Sequence, residues 1–348
     1  MSQSKYQQAG VDLEKASAVR KKIIQTIQHT HTKGVIPAPG GFGALFSLDG
    51  QENVPNTILV SSTDGVGTKL KIAFATGRHD TIGQDLVAHC VNDILTQGAS
   101  PLFFMDYLAT SELDSEVTEQ IIHGLAEECR NNHCALIGGE TAQMPDFYQK
   151  GEYDLAGFIV GSVQKDHLLG PSRILSGNFL LGLPSSGLHT NGFSLARRIL
   201  LQEAQFKLDD PFPNTDHSVA DELLKVHRSY LVPLQNLYRQ NCVLAAAHIT
   251  GGGITENLPR ILPTGFCAHV YRGSWPLPNV FQILQDLGKI DAEEMYQVFN
   301  MGIGMILVVP ADKLALAQDL LRKAGETNYI MGEVVRGHRR VIYGEMHR

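Results

Sequence analysis

Cysteine is scarce and odd in number, with Cys90, Cys129, Cys134, Cys242 and Cys267 scattered over 348 residues. Such a set forms no disulfide framework and suits reduced thiols. Zinc is not indicated either, because Cys129, His133 and Cys134 have no second ligand pair at a matching spacing. Long apolar runs are missing: none approaches the roughly 18 residues of a membrane-spanning helix. The opening MSQSKYQQAGVD also lacks the basic-then-apolar order of a signal peptide. A cytoplasmic protein with no membrane partner is therefore expected. The formal net charge of −7 leaves no sequence-wide basic footprint, so no nucleic-acid partner is expected. Two catalytic patterns fail as well. In GVGTK, Lys69 follows Thr68 and precedes Leu70, which is not the P-loop order. Ser186 follows Pro184-Ser185, so the G-x-S-x-G elbow of serine hydrolases is absent. No short-period repeat points to a solenoid.

What is present reads as a globular α/β chain. Apolar residues make up 43%, charged residues 19%, and there are 34 glycines for tight turns. The length suits two domains, each with its own core. A helical period over residues 12–30, with Asp12 as a candidate N-cap, precedes the loop PAPGGFG, whose prolines and glycines forbid regular structure. Strand and helix then alternate: a strand around 57–64, a helix over 80–97, a strand over 102–109, a helix over 115–132 and strands near 134–138 and 154–163. The second half repeats the theme, and Gly170-Pro171-Ser172 marks the expected boundary between domains 1–170 and 171–348.

Three acids stand where an element delivers them beside glycine or a polar partner: Asp64 after the strand ILVSST, Glu140 after ALIGG, and Asp93 inside the apolar helix LVAHCVNDIL. Hard oxygen ligands from separate segments suit Mg2+ carried by ATP. Taken singly, each acid is equally well read as a turn former or an ion-pair partner. The face Asp85, His89, Asp93 reads as an exposed stripe. Phosphate contacts are expected from the turn Gly65, Gly67, Thr68 and Lys69 and from the loop Gly40, Gly41, Phe42 and Gly43, where glycine lets the backbone come close. Asn191-Gly192 and Gly251-Gly252-Gly253 each feed a helix start, a second pair of candidate anion sites.

The segments TDGVGTK, CVNDILTQGASPLFFMDYLA, IGGETAQMP, GLHTNGFSL, ITGGGITENLPR and FNMGIGM resemble the phosphoribosylformylglycinamidine cyclo-ligase (aminoimidazole ribonucleotide synthetase) family, from about Tyr6 to Gly332. That resemblance implies an N-terminal sheet that pairs across a homodimer into a barrel, a C-terminal α/β sandwich, and ATP under the glycine-rich loop near the dimer interface. It implies formylglycinamidine ribonucleotide as substrate, phosphorylated on its formamide oxygen so that the amidine nitrogen closes the imidazole ring. In that reading Asp64, Asp93 and Glu140 hold Mg2+, Asp93 and Lys69 serve phosphoryl transfer, His189 acts in ring closure, and Asn191 with Gly251, Gly252 and Gly253 bind substrate. Its basic first-helix residues Arg20, Lys21 and Lys22 are candidates for an ATP contact. A small-molecule kinase on the same scaffold and a non-catalytic nucleotide-binding protein stand as alternatives.

Overall fold

The computed structural model describes residues 4–11, 14, 18–19, 27–37, 41–49 and 56–345. The Asp12 cap with Leu13, Ala16 and Ile23, the basic residues Arg20, Lys21 and Lys22, and Gly40 lie outside the described residues.

Two six-stranded mixed sheets carry the chain. The first contains β1 (Val35–Ile36), β2 (Ala44–Ser47), β3 (Thr57–Gly65), β4 (Ser100–Thr110), β5 (Ala135–Gln143) and β6 (Tyr153–Gln164) in the order β1-β2-β3-β6-β4-β5. Its ladders are antiparallel except β4 with β5. The second contains β7 (Phe179–Pro184), β8 (Ala245–His248), β9 (Phe266–Arg272), β10 (Ile303–Val309), β11 (Tyr329–Arg336) and β12 (Val341–Glu345) in the order β12-β9-β11-β7-β10-β8. Only β12 with β9 runs parallel there. The α/β class expected from the sequence therefore holds, while the strand-end rule for open parallel sheets does not transfer to sheets that are mostly antiparallel. Among the described residues neither sheet closes into a barrel within one chain.

The helix Ile82–Leu95 is the pivot of the molecule. Every residue in it except Gln84 is buried. Its expected exposed stripe is in fact inside, with Asp85 at 0%, His89 at 4% and Asp93 at 7% exposure. The reason is that both halves of the chain cover it. On one side it packs on the first sheet and crosses the helix Ser115–Asn131, where Gly83 and Gly124 let the two backbones approach: a Cβ on Gly124 would lie 2.5 Å from the Asp80 carbonyl. On the other side the C-terminal half caps it, as the Tyr230 amide N–H donates to Asn92 Oδ1 (2.9 Å) and Tyr238 Oη donates to the Leu95 carbonyl (2.7 Å). The opposite face of the first sheet is uncovered and carries Phe46, Met105, Ile137 and Phe158, all more than a third exposed.

Candidate active site at the junction of the two halves

The Asp64 and Asp93 carboxylates come from β3 and from the buried helix and meet around histidines. Asp64 Oδ2 lies 2.8 Å from His89 Nε2, and its Oδ1 accepts the Gly65 N–H at 2.7 Å. Asp93 Oδ1 lies 2.8 Å from His248 Nδ1, at the end of β8, and its Oδ2 accepts from Ser62 Oγ at 2.9 Å. Ser62 Oγ also lies 3.3 Å from the Phe42 carbonyl, which ties the glycine loop to Asp93. From His89 the contacts run on through Thr190 Oγ1 (2.7 Å) to His227 Nδ1 (3.3 Å), and His227 Nε2 faces His248 Nε2 at 3.1 Å. Asn92 fastens this cluster: its Nδ2 donates to the Arg228 carbonyl (2.9 Å) and lies 3.1 Å from His227 Nε2.

Electrostatics separates the histidines into two kinds. Burial alone pushes His89 down, but Asp64, through its charge and hydrogen bond, together with Asp93 and Asp85, pushes it up to about 9. Burial raises Asp64, yet the charge and hydrogen bond of His89 outweigh it, and the carboxyl is held below its ordinary range. His89 is thus an imidazolium paired with a carboxylate. His189 and His227 are driven well below the ordinary histidine value by burial and by neighbouring cations and histidines. They stack at 3.9 Å between ring centroids. His189 Nε2 accepts the Ser186 N–H at 3.2 Å, so the neutral ring carries its proton on Nδ1, and that buried atom has no hydrogen-bond partner. His189 also holds a left-handed backbone (φ 61°), strained for a residue with a Cβ.

A second unpaired donor lies close in sequence, since the buried Asn191 Nδ2 has no partner either. Its Oδ1 would meet a Cβ on Gly251 at 3.3 Å, which places the Gly251-Gly252-Gly253 turn against Asn191. That turn needs glycine, because Gly252 (φ 96°) and Gly253 (φ 57°) are left-handed and a Cβ on Gly253 would strike the Tyr296 carbonyl. The helix that follows, Gly253–Asn257, is only five residues long, so close backbone approach rather than an extended dipole is what the turn offers. In the first half, Gly67 (φ 70°) and Thr68 are exposed in the turn after β3, and Thr68 Oγ1 reaches Ser194 Oγ at 3.1 Å. Phe42 is buried beneath Arg260 at 5.3 Å. Gly43 packs against β3, where a Cβ would meet Val60 and the Ser61 carbonyl.

Two expected site residues sit elsewhere. Lys69 is fully buried: its Nζ lies 2.7 Å from Asp85 Oδ2 and donates to the Lys225 carbonyl at 2.7 Å. An ammonium locked this way joins the two halves and presents nothing to a phosphate. Glu140 is exposed on edge strand β5. Register puts Asp64 in one cross-strand row with Gly157, Asp106 and Gly139, and Gly65 in the next row with Ala156, Tyr107 and Glu140. Glu140 is therefore three strands from Asp64, about 14 Å, and on the opposite face. Within one chain the three acids do not gather.

Among the described residues two groups of side chains could hold a metal ion, His189 with His227 and His248, and His89 with Asp93 and His248. The first is all nitrogen, which Mg2+ disfavours, and stacking of His189 on His227 keeps their in-plane lone pairs from meeting at one ion. The carboxylate oxygens that meet these histidines come from Asp93 and from Asp64, whose side chain is 40% exposed. They fit Mg2+ as a pair that needs oxygens from elsewhere. Sequence reasoning missed His227, His248, Thr190 and Ser62. His248 did carry a signal, as a polar residue closing the apolar strand AAAH three residues before the glycine turn.

The fold and site define a two-part α/β protein of the AIR synthase related class. The N-terminal domain of AIR synthase related proteins matches residues 46–163, and the C-terminal domain matches residues 176–345. The chain is 50% identical to the phosphoribosylformylglycinamidine cyclo-ligase of Trichlorobacter lovleyi over 94% of each chain, and 51% identical to that of Geobacter metallireducens over 95% of each. It belongs to the phosphoribosylformylglycinamidine cyclo-ligase family. Solved structures share the fold at low identity. These include the thiamine-monophosphate kinase of Stenotrophomonas maltophilia (19%, 93% of this chain and 96% of that one, TM-score 0.64) and the PurL of T. maritima complexed with ADP (16%, 92% and 46%, TM-score 0.61). No helix among the described residues is long and apolar enough to cross a membrane.

Proposed function

We propose that this enzyme closes the imidazole ring of aminoimidazole ribonucleotide from formylglycinamidine ribonucleotide at the expense of ATP, in cytoplasmic purine biosynthesis. An amide oxygen is a poor leaving group. ATP supplies the phosphoryl group that lets the formamide oxygen depart as phosphate when the amidine nitrogen attacks the formyl carbon. The observation that carries this reading is the pair of buried, unpartnered donors, His189 Nδ1 and Asn191 Nδ2, beside the Asp93 cluster and the glycine turn. A buried donor without a partner costs stability, and a ligand oxygen would satisfy it.

With its pKa driven well down by burial, His189 serves as a neutral hydrogen-bond donor to the developing oxyanion rather than as an imidazolium acid. Asn191 and Gly251 to Gly253 receive the ribonucleotide. Gly65, Gly67 and Thr68, with the Gly41–Gly43 loop, receive ATP. Asp64 and Asp93 are the residues that would hold Mg2+, which would neutralise phosphate charge there. In a homodimer formed through the uncovered face of the first sheet, Glu140 would face the second copy and not its own Asp64. The division into domains 1–170 and 171–348 belongs to the same reading.

The deciding experiment incubates purified protein with formylglycinamidine ribonucleotide and ATP, then assays for diazotisable aminoimidazole. Ring-closed amine with stoichiometric ADP is expected. Accumulation of a phosphorylated, unclosed product would mark a kinase, and ATP left unconsumed would mark a nucleotide-binding protein without catalysis.

A further inference from the structure

A cavity of about 290 Å³ lies away from the site just described, where the end of the helix Ile82–Leu95 meets the helix Leu231–Arg239 and the ends of β4 and β6. Its floor is apolar, from Leu95, Val163 and Leu231. Its rim carries two basic side chains contributed by the two halves of the chain, His167 and Arg239. No Asp or Glu lines it, although the chain as a whole is acidic at −7. Arg239 and His167 are exposed and, among the described residues, form no ion pair. Ser100, Ser162 and Gln235 add groups that donate hydrogen bonds. By contrast Tyr238, also on the wall, is already committed through its hydroxyl to the Leu95 carbonyl.

We propose that this cavity binds a small organic phosphomonoester. Arg239 takes the phosphate in a charge-assisted, two-point contact, His167 and a serine hydroxyl complete it, and an apolar or planar body lies on Leu95, Val163 and Leu231. The volume is at the lower end for ligand pockets, which suits a body of one ring rather than a dinucleotide. Because the wall comes from both halves, a ligand here also ties them together. Leu95 is two residues from Asp93, and Leu231 is four from His227.

Phenyl phosphate, inorganic phosphate and phenol serve as probes in calorimetry and thermal unfolding of the whole protein. Phenyl phosphate is expected to bind and to raise the unfolding midpoint, with inorganic phosphate and phenol each at least about tenfold weaker, since each offers half of the contacts. Arg239→Ala, at an exposed position, should fold normally and weaken phenyl phosphate about tenfold or more. Gln235→Trp, which fills the groove, should abolish binding. No binding by phenyl phosphate, or the same affinity in wild type and Arg239→Ala, overturns the proposal. If Gln235→Trp does not fold, the Arg239→Ala comparison decides alone.

Discussion

At the scale of single residues, the site is a set of buried polar groups whose protonation is fixed by what each touches. His89 is the clearest case. Its value of about 9 lies above the ordinary 6.5, so its share of stability is full below pH 6.5 and is lost as pH rises through about 9. Asp64 is shifted the other way, so its share is present above the ordinary carboxylate range and is lost as pH falls. Asp64→Asn removes the charge that holds His89 protonated. Between pH 6.5 and 10 the wild type should lose more stability to urea than this variant does, and parallel curves would show that His89 is not an imidazolium. His189 is held by a different device. Gly304 on β10 leaves room for it, because a Cβ there would strike Tyr230 Oη and lie 2.5 Å from His189 Cε1. Gly304→Ala should cost about 1–3 kcal/mol through overpacking. It should also lower kcat by displacing the ring. Lost stability with an unchanged kcat would mean that the position of His189 does not matter to turnover.

At the scale of elements, the crossing of the helices Ile82–Leu95 and Ser115–Asn131 fixes where Asp93 and His89 point. Glycine in an exposed helix gives up about 1 kcal/mol relative to alanine, so Gly→Ala usually stabilises. Here the new Cβ of Gly83→Ala would run into the backbone of the helix Ser115–Asn131, and that of Gly124→Ala into the Asp80 carbonyl in the turn that leads into the helix Ile82–Leu95. Since backbone cannot move aside as a side chain does, the overpacking loss of about 1–3 kcal/mol outweighs the propensity gain. Both variants should show a lower urea midpoint, and a higher one would mean that the helices separate freely. Runs such as TILVSST and GMILVVP read as strands because β-branched and apolar residues fill them, and β3 and β10 lie there. The helix Leu231–Arg239 and the strands β11 and β12 were not read, because their residues are only partly apolar and carry no motif. The site was half legible. Acids beside glycine or a polar partner flag Asp64 and Asp93, and the family resemblance flags His189, but the bond from Asp93 to His248 spans 155 residues, and no local pattern encodes a contact that the packing of the two halves creates.

At the scale of the whole molecule, the first sheet is finished on one face only. Helices cover the side that carries Asp64, while the other side exposes Phe46 at 41%, Met105 at 37%, Phe158 at 41% and Ile137 at 59%. An antiparallel sheet that faces water normally alternates apolar inside with polar outside, and exposed apolar side chains shared by neighbouring strands mark a contact surface. The face also bears the row that ends in Glu140. In the proposed homodimer a second copy of the chain would bury these side chains face to face and bring each Glu140 towards its neighbour. Phe158 is on β6 in the interior of the sheet, so a charge there is central to the proposed contact. Wild type is expected to sediment as a dimer. Phe158→Asp should sediment as a monomer with an unchanged circular dichroism spectrum, and its turnover should fall because Glu140 loses the copy it faces. A monomeric wild type, or a monomeric variant with full turnover, would detach this face, and Glu140 with it, from catalysis.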